Sequence, residues 1–429
     1  MKEIMRFFFV IMALLLTTCS PALASELDKA LALYGDGYYS SAYQIFVAEA
    51  NKGNAEAEYM IALMYYKGQG VSQDYQEAFK WCKLAAEHGD VRARVNMGSM
   101  YYNGQGVSQD YQEAVKWFKL AADKGDMRAE FNLGVIYYKG YGVNQDYKAA
   151  YKWFKLSADK DYAPAQLNLG FMYEKGQAVV QNYTESFKWF KMSADQGYAP
   201  ALFMVGSLYY QGLGIQQDYR EAFKWLKLSA DQGNAEAQFN VGHMYADGLG
   251  IQRDYKEAFK WYMLAADQGY NAAQFDLATS YAEGRGVQQD YAEALKWFKA
   301  AADRGSERAQ FNLGVMYADG KGVPQDYKEA LEWYKLAADQ GYTAAQYNLG
   351  NMYAEGKGVQ RDYTEALKWY NFAADQGHAK AMCNLAAMYA SGVGTAKNMK
   401  KAKQLTLEAR ETGEVDCESV LSGRSVSRE

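Results

Sequence analysis

Few side chains in this sequence have the types and spacing that chemistry requires. The three histidines, His88, His243 and His378, recur at no common spacing, so they indicate neither a metal site nor a base paired with a nucleophile. Ser157 and Lys160 form a Ser-x-x-Lys pair, but the Ser-Asp-Asn and Lys-Thr-Gly motifs that accompany such a nucleophile are missing. We therefore predict no catalytic residue, no metal site and no cofactor.

Paired glycines, such as Gly320 and Gly322, are the other motif with a chemical interpretation. A phosphate-binding loop would require Gly-Lys-Ser or Gly-Lys-Thr after the glycines and a strand before them, and the sequence has neither. The glycines instead predict a turn between two helices.

The first 24 residues have the features of an export signal. Lys2 and Arg6 form a positive n-region, residues 7–16 are apolar but too few to span a bilayer, and residues 22–24 form a small-residue cleavage site. Lipidation at Cys19 is the alternative. We predict a periplasmic protein, alternatively secreted or lipid-anchored, with no membrane insertion once the signal is removed.

Loss of that signal makes the chain slightly more acidic. The formal net charge falls from −5 to −6, because Lys2, Arg6 and Glu3 leave with it. A phosphate-binding surface needs a basic excess, so this balance argues against nucleic acid as the main partner.

Three cysteines remain after cleavage, Cys82, Cys383 and Cys417, so at least one thiol has no partner within the chain. Cys383 and Cys417 are 34 residues apart. In adjacent turns of a repeat fold they could form a disulfide in an oxidising compartment, and whether they do is left open by the sequence.

Tryptophans reveal the organisation of the chain. They recur every 36 residues without insertion or deletion, at Trp81, Trp117, Trp153, Trp189, Trp225, Trp261, Trp297, Trp333 and Trp369. Ten copies of one 36-residue phrase span residues 54–413. We number them repeats 1 to 10, and number positions 1 to 36 within each. Repetition at this period is typical of helical solenoids.

In each repeat the sequence pattern predicts two helices, which we call helix A and helix B in chain order. In repeat 8, Asp326 and Glu329 have the spacing of a capping box that begins helix B. Apolar residues follow on one face at Ala330, Trp333, Tyr334 and Ala337, and Gly341 is predicted to end the helix in the left-handed conformation. The tryptophans are accordingly predicted to lie in the core rather than to form a ligand-binding ladder.

Helix A of the same repeat places Ala309, Leu313, Met316 and Tyr317 on one face and ends at Gly320. Gly314 lies inside this helix, at a cost of about 1 kcal/mol relative to Ala. Glycine or alanine at this position in every repeat implies close contact between helices.

The recurring phrase DYxEAxKWxKxAADQGxAxAQxNLGxMYxxGxGVxQ resembles the Sel-one-like repeat (SLR), a relative of the tetratricopeptide repeat, over nearly the whole mature chain. The resemblance implies an all-α, right-handed α/α superhelical solenoid of helix-turn-helix repeats, with helices A on the concave side. It also implies an adaptor that holds a protein or peptide. Some relatives have been linked to penicillin binding or β-lactamase activity, which makes a hydrolase the alternative from another class.

Imperfect copies flank the repeats. Residues 25–53 are predicted to form a degenerate capping helix pair in which Ile45 takes the tryptophan position and Gly53 closes the helix. In repeat 10, Leu405 replaces tryptophan, and residues 414–429 are predicted to be a C-terminal cap and a disordered tail.

Recognition is expected where the repeats differ from one another. On helix A the repeats differ at positions 3, 10 and 14, which helical spacing places beside position 7. Position 13 changes as well. We call positions 3, 7, 10, 13 and 14 together the variable stripe. From it we predict a partner-binding surface comprising Tyr66, Asn96, Ser99, Tyr102, Asn132, Val135, Tyr138, Asn168, Phe171, Ser207, Tyr210, Asn240 and His243.

Two features of the stripe have alternative interpretations. The asparagines at position 7 either pair with the main chain of an extended peptide or tie each helix to the next repeat. Position 13 is mostly tyrosine in the first half of the array and alanine, followed by an acidic residue, in the second. That change reflects either duplication of two ancestral repeats or an aromatic anchoring half.

The sequence thus predicts an exported, non-enzymatic scaffold that binds a protein or peptide in the groove lined by helices A. A secreted effector that binds a host protein is a further alternative. The identity of the partner, the pathway and the oligomeric state are not encoded in these patterns.

Overall fold

In the computed structural model, residues 25–413 and residue 417 are described; the predicted export signal, Cys19 and most of the predicted tail lie outside them. The described residues form 22 helices and no strand. The helices are α1 (Glu26–Gly35), α2 (Tyr39–Ala50), α3 (Ala55–Lys67), α4 (Tyr75–Glu87), α5 (Val91–Asn103), α6 (Tyr111–Ala122), α7 (Met127–Lys139), α8 (Tyr147–Ala158), α9 (Ala163–Lys175), α10 (Tyr183–Asp195), α11 (Ala199–Gln211), α12 (Tyr219–Asp231), α13 (Ala235–Asp247), α14 (Tyr255–Asp267), α15 (Asn271–Glu283), α16 (Tyr291–Ala302), α17 (Glu307–Asp319), α18 (Tyr327–Asp339), α19 (Thr343–Glu355), α20 (Tyr363–Asp375), α21 (Ala379–Ser391) and α22 (Met399–Glu411).

The chain divides into two compact units. Of the described residues, one unit contains residues 25–201 and 213–215, and the other contains residues 202–212, 216–413 and 417. Within each unit the extensive helix contacts join neighbours in sequence, as expected of repeats that each bury their apolar face on the next. These stacked helical hairpins confirm the predicted all-α repeat fold.

The start of helix B is only partly as predicted. The Asp326 side chain accepts hydrogen bonds from the backbone N–H groups of Lys328 and Glu329. The predicted reciprocal bond of the capping box, from the Asp326 N–H to the Glu329 side chain, is wrong. The Asp326 N–H instead donates to the carbonyl of Tyr317 in helix A, at 2.9 Å. This bond recurs from repeat to repeat and joins the two helices of each hairpin.

The glycines lie where the chain needs left-handed backbone. Gly320 has φ +70° at the end of helix A, and Gly341 has φ +90° just after helix B. Gly322 also has positive φ, and a Cβ there would lie 2.7 Å from the Tyr291 carbonyl oxygen of the preceding repeat. The Gly-x-Gly segment is therefore the predicted turn, and its second glycine lets neighbouring repeats approach closely.

The glycine inside helix A faces the residue that follows tryptophan. A Cβ on Gly134 would lie 2.5 Å from the Phe154 ring, and a Cβ on Gly314 would lie 2.5 Å from the Tyr334 ring. This confirms the predicted close helix contact.

The prediction that the tryptophans lie in the core is confirmed only in part, because most of them pack against the core without being fully buried. Phe154 is fully buried, whereas Trp153 beside it is half-buried, and among the tryptophans only Trp369 is buried. Successive helical residues are about 100° apart, so only one of the two can point directly at the glycine of helix A.

In several repeats a polar pair joins a buried side chain at position 5 of helix A to an exposed one at position 35, after helix B. In repeat 4 the Gln196 amide donates to Gln166 Oε1 at 2.8 Å. In repeat 3 the same positions hold an ion pair, with Lys160 Nζ 2.5 Å from Glu130 Oε1, and the Glu130 side chain is 4% exposed. An ion pair in repeat 3 and a hydrogen bond between two amides in repeat 4 thus occupy equivalent sites.

We expect Lys160→Gln to destabilise the fold by about 1–3 kcal/mol, because it leaves the Glu130 carboxylate buried without its cation. Glu130→Gln/Lys160→Gln recreates the Gln166–Gln196 pair and should recover most of that loss. Urea denaturation of both single variants and the double variant completes a double-mutant cycle. Additive losses in the double variant would contradict this interpretation.

Both ends of the array are helical pairs. At the N-terminal end α1 and α2 bury Phe46, while Ile45, in the tryptophan position, is half-buried. At the C-terminal end a disulfide joins Cys383 of α21 to Cys417, which is 1% exposed. The sequence did not decide whether this disulfide forms. In the structure it joins Cys417, which follows α22, to repeat 10.

Candidate partner-binding surface

The predicted surface residues lie on successive A helices, from Tyr66 at the end of α3 to His243 in α13. Every one of them is half-buried, neither in the core nor freely exposed. Side chains of this kind present part of their area to solvent while their position is held by neighbours. Whether a partner contacts them remains a prediction.

Clefts bring some of these residues together within each unit. In the first unit Tyr66, Asn96 and Ser99 line a cavity of about 290 Å³ with Tyr59 and Leu63. In the second unit Ser207, Tyr210 and Asn240 line one of about 370 Å³. His243 lines a third and larger cavity, of about 730 Å³, further along the second unit.

The tyrosines at position 13 also make structural contacts. The hydroxyls of Tyr66 and Tyr138 donate to the side chains of Gln105 and Gln177 in the turn of the next repeat. Tyr102 packs edge-on against Tyr111, and Tyr210 against Tyr219. These rings support the hairpins, so an anchoring role would have to use their remaining exposed area.

The rest of the stripe is similarly engaged. Phe171 packs against Phe190 with ring centroids 5.0 Å apart. The Asn168 amide donates to the Pro164 carbonyl in its own helix, while Asn384 donates to Asn351 of the preceding repeat at 3.3 Å. Both interpretations of the asparagines therefore stay open, and Asn384 provides an example of the tie between repeats. Ser99 donates to Val95, and Asn132 and Val135 lie half-buried in α7.

A second surface was not predicted from the sequence. At position 31 of helix B, apolar side chains are 46–49% exposed in both units, at Leu120, Leu156, Leu228, Leu264 and Leu336. In the sequence, this surface was visible as an apolar residue that recurs at position 31 in most repeats, outside the predicted buried face of helix B. It provides a matched comparison surface for any test of the variable stripe.

Comparison with known proteins settles the family. The model of the Sel1 repeat matches ten times, over residues 55–90, 91–126, 128–162, 163–198, 199–234, 235–270, 271–306, 307–342, 343–378 and 379–411. The chain is a Sel1 repeat protein.

Two solved Sel1 repeat proteins are similar to it. One is c5321, described as a protective antigen of uropathogenic Escherichia coli with an SLR fold; it is 34% identical over 92% of this chain and 86% of its own, with a TM-score of 0.79. The other is a Sel1 repeat protein from Oxalobacter formigenes, 33% identical over 70% of this chain and 88% of its own, with a TM-score of 0.55. No curated protein matches the chain.

The Sel1 repeat fold is a scaffold type used for protein–protein interaction, and no catalytic family is indicated for this chain. Among the described residues, no three His, Cys, Asp or Glu side chains are grouped to hold a metal ion. Over the same residues, the structure has no helix long and apolar enough to cross a membrane.

The Ser-x-x-Lys pair of this Sel1 repeat protein has a structural explanation. Ser157 is fully buried and donates to the Met127 carbonyl at 2.7 Å, as Ser193 does to Ala163 one repeat later. Lys160 is held by Glu130 and by the Gly125 carbonyl. A nucleophile must be accessible and must contact its base, whereas Ser157 is buried and its hydroxyl donates to a backbone carbonyl.

Proposed function

We propose that this chain is an exported scaffold that binds a protein or peptide along the variable stripe of its A helices. The observation that carries the proposal is the contrast between positions. The Gly–Phe contacts, caps and turns repeat along the chain, whereas the stripe changes side chains from repeat to repeat beside clefts of about 290 and 370 Å³. Differences on a half-buried surface suit selective recognition more than folding.

Export is part of the proposal. Residues 1–24 provide the signal pattern, and the disulfide between Cys383 and Cys417 suits an oxidising compartment. Similarity to a protein described as a protective antigen also favours a destination outside the cytoplasm. Periplasmic location is the form we propose, with secretion toward a host protein as the alternative destination for the same binding mechanism.

The test is capture of partners from an envelope extract by the purified protein and by two charge-substituted variants. Ser99→Glu/Val135→Glu/Ser207→Glu alters the stripe, and Leu120→Glu/Leu156→Glu/Leu228→Glu alters the exposed row on the B helices. We expect the first variant to lose a partner that the second retains, because charge on a desolvated interface is costly. A partner lost only with the second variant would overturn the assignment of this surface.

A further inference from the structure

Repeat 7 departs from the other repeats at two neighbouring positions of helix A. Position 7, usually asparagine, is Asp276, and position 11, elsewhere a large apolar residue such as Met244 or Met316, is Ser280. Both residues line the 730 Å³ cavity, which lies wholly within the second unit.

Ser280 creates space in the core of this repeat. Met244 and Met316 are almost fully buried at the equivalent position, so the shorter serine leaves the volume of most of a methionine side chain unfilled. The Ser280 hydroxyl donates to the Asp276 carbonyl of its own helix at 2.8 Å. Its polarity is thereby satisfied locally, and the cavity gains depth.

Asp276 places an unpaired carboxylate in that cavity. Burial is the main cause of a raised pKa at Asp276, and His243 and Arg308 oppose that rise only in part. Within the described part of the chain its side chain forms no ion pair or hydrogen bond, in contrast to the buried Glu58 and Glu130, which pair with His88 and Lys160. A carboxylate that is largely removed from water and forms no ion pair is costly, so this position favours a positively charged ligand.

The nearby basic side chains have contacts of their own. Arg285 Nε lies 2.5 Å from Glu283 Oε2, and the Arg308 guanidinium lies over the Phe275 ring, 4.1 Å from its centroid. His243 Nδ1 is 3.0 Å from Asp247 Oδ2, an ion-pair distance without hydrogen-bond geometry.

Further groups around the cavity suit a donor-rich ligand. Asn271 lines it, and the Oδ1 atom of this residue is a buried acceptor with no hydrogen-bond partner in the described residues. The rings of Phe239, Tyr262 and Tyr270 form part of the wall. A guanidinium or ammonium group donates several hydrogen bonds and is attracted to aromatic faces, so acceptors and rings together match a basic side chain.

We propose that this cavity binds a basic side chain, arginine or lysine, of a protein partner, with its charge against Asp276 and its aliphatic stem along the aromatic wall. The inference rests on the proposed function for the source of that side chain. His243 and Thr279, both at position 10, line the cavity, so it lies on the variable stripe where the partner is proposed to bind.

The site can be tested without any partner. Calorimetric titration of the purified protein would use the peptide acetyl-Gly-Arg-Gly-amide, its citrulline analogue of similar shape without charge, and the free cation agmatine. We expect saturable binding of the arginine peptide, and binding weaker by at least about tenfold for the citrulline peptide, because the charge-assisted bond is lost.

Two variants restore what other repeats of this chain contain. Asp276→Asn removes the charge and Ser280→Met refills the void, and each is expected to weaken arginine-peptide binding by at least about tenfold without lowering the melting temperature. Asp339→Asn, which removes an exposed carboxylate outside the cavity, should leave binding unchanged.

Equal binding of the arginine and citrulline peptides, or unchanged binding by Asp276→Asn, would overturn the proposal. Absence of peptide binding would overturn it as well, and so would a lower melting temperature of Asp276→Asn, which would mark that carboxylate as structural. Tighter binding of agmatine than of the peptide would assign the cavity to a free cation instead. Each of these results leaves capture along the stripe unaffected, so failure here is distinguishable from failure of the proposed function.

Discussion

Phe154→Ala is expected to lower the free energy of unfolding by about 3–5 kcal/mol, the range for truncating a buried aromatic side chain. Trp153→Ala, one residue earlier in the same helix, is expected to cost less. Phe154 is fully buried against Gly134, whereas Trp153 is half-buried and keeps part of its area in solvent. The larger loss should therefore come from the smaller aromatic residue.

Urea denaturation followed by circular dichroism measures both losses. Phe154→Leu is the matched control, because leucine already occupies the equivalent position at Leu226, where it faces Gly206. This control should retain most of the stability, since volume-conserving changes in a core are tolerated best. A greater loss from Trp153→Ala than from Phe154→Ala would return the tryptophans to the centre of the core.

Replacing both bridged cysteines, as Cys383→Ala/Cys417→Ala, is expected to cost about 2–4 kcal/mol and to release the segment that carries residue 417. The bond closes a loop of 34 residues, so its removal gives the unfolded chain more conformational freedom. Thermal melting of the oxidised protein, the reduced protein and the double variant measures the effect. The reduced protein should melt close to the double variant.

Alkylation distinguishes the bridge from an open pair of thiols. Burial raises the pKa of the Cys82 thiol to about 12, so the native protein should be unreactive at neutral pH at this residue. Unfolding without a reductant should expose Cys82 alone to iodoacetamide, as seen by mass spectrometry. Labelling of Cys383 or Cys417 under those conditions would contradict the bridge.

Local chemistry made much of the fold predictable. Asp326 before helix B, Gly320 after helix A and Gly341 after helix B act through bonds and backbone angles within a few residues, and all three lie where the sequence predicted. The capping box was wrong because the Asp326 N–H finds a tertiary acceptor, the Tyr317 carbonyl. This acceptor belongs to another helix, so no local sequence pattern predicts it.

The core assignment was only partly right for a similar reason. Trp153 and Phe154 are adjacent and both fit an apolar stripe, so periodicity alone does not decide which of them faces Gly134. The decision depends on how helix A packs against helix B. Constancy of the tryptophans indicated that they matter, but not that their neighbours are the more deeply buried residues.

Prediction of the candidate site was also partial. Differences among repeats identified the variable stripe, with Ser99 and Ser207 beside clefts, but not the cavity of repeat 7. Its signal was visible as Asp276 and Ser280 in place of the usual asparagine and methionine. Only the packing of three successive repeats shows that these two departures line one space.

The most direct test of the scaffold proposal is to locate a bound partner by photo-crosslinking in the envelope of living cells. A crosslinking amino acid would replace Ser99 or Ser207 on the stripe, and Leu120 or Leu228 on the exposed row of the B helices. We predict that the two stripe positions form a covalent adduct with one partner and that the two leucine positions do not. Adducts from the leucine positions alone would contradict the proposed binding surface, and the absence of any adduct at all four positions would contradict the scaffold itself.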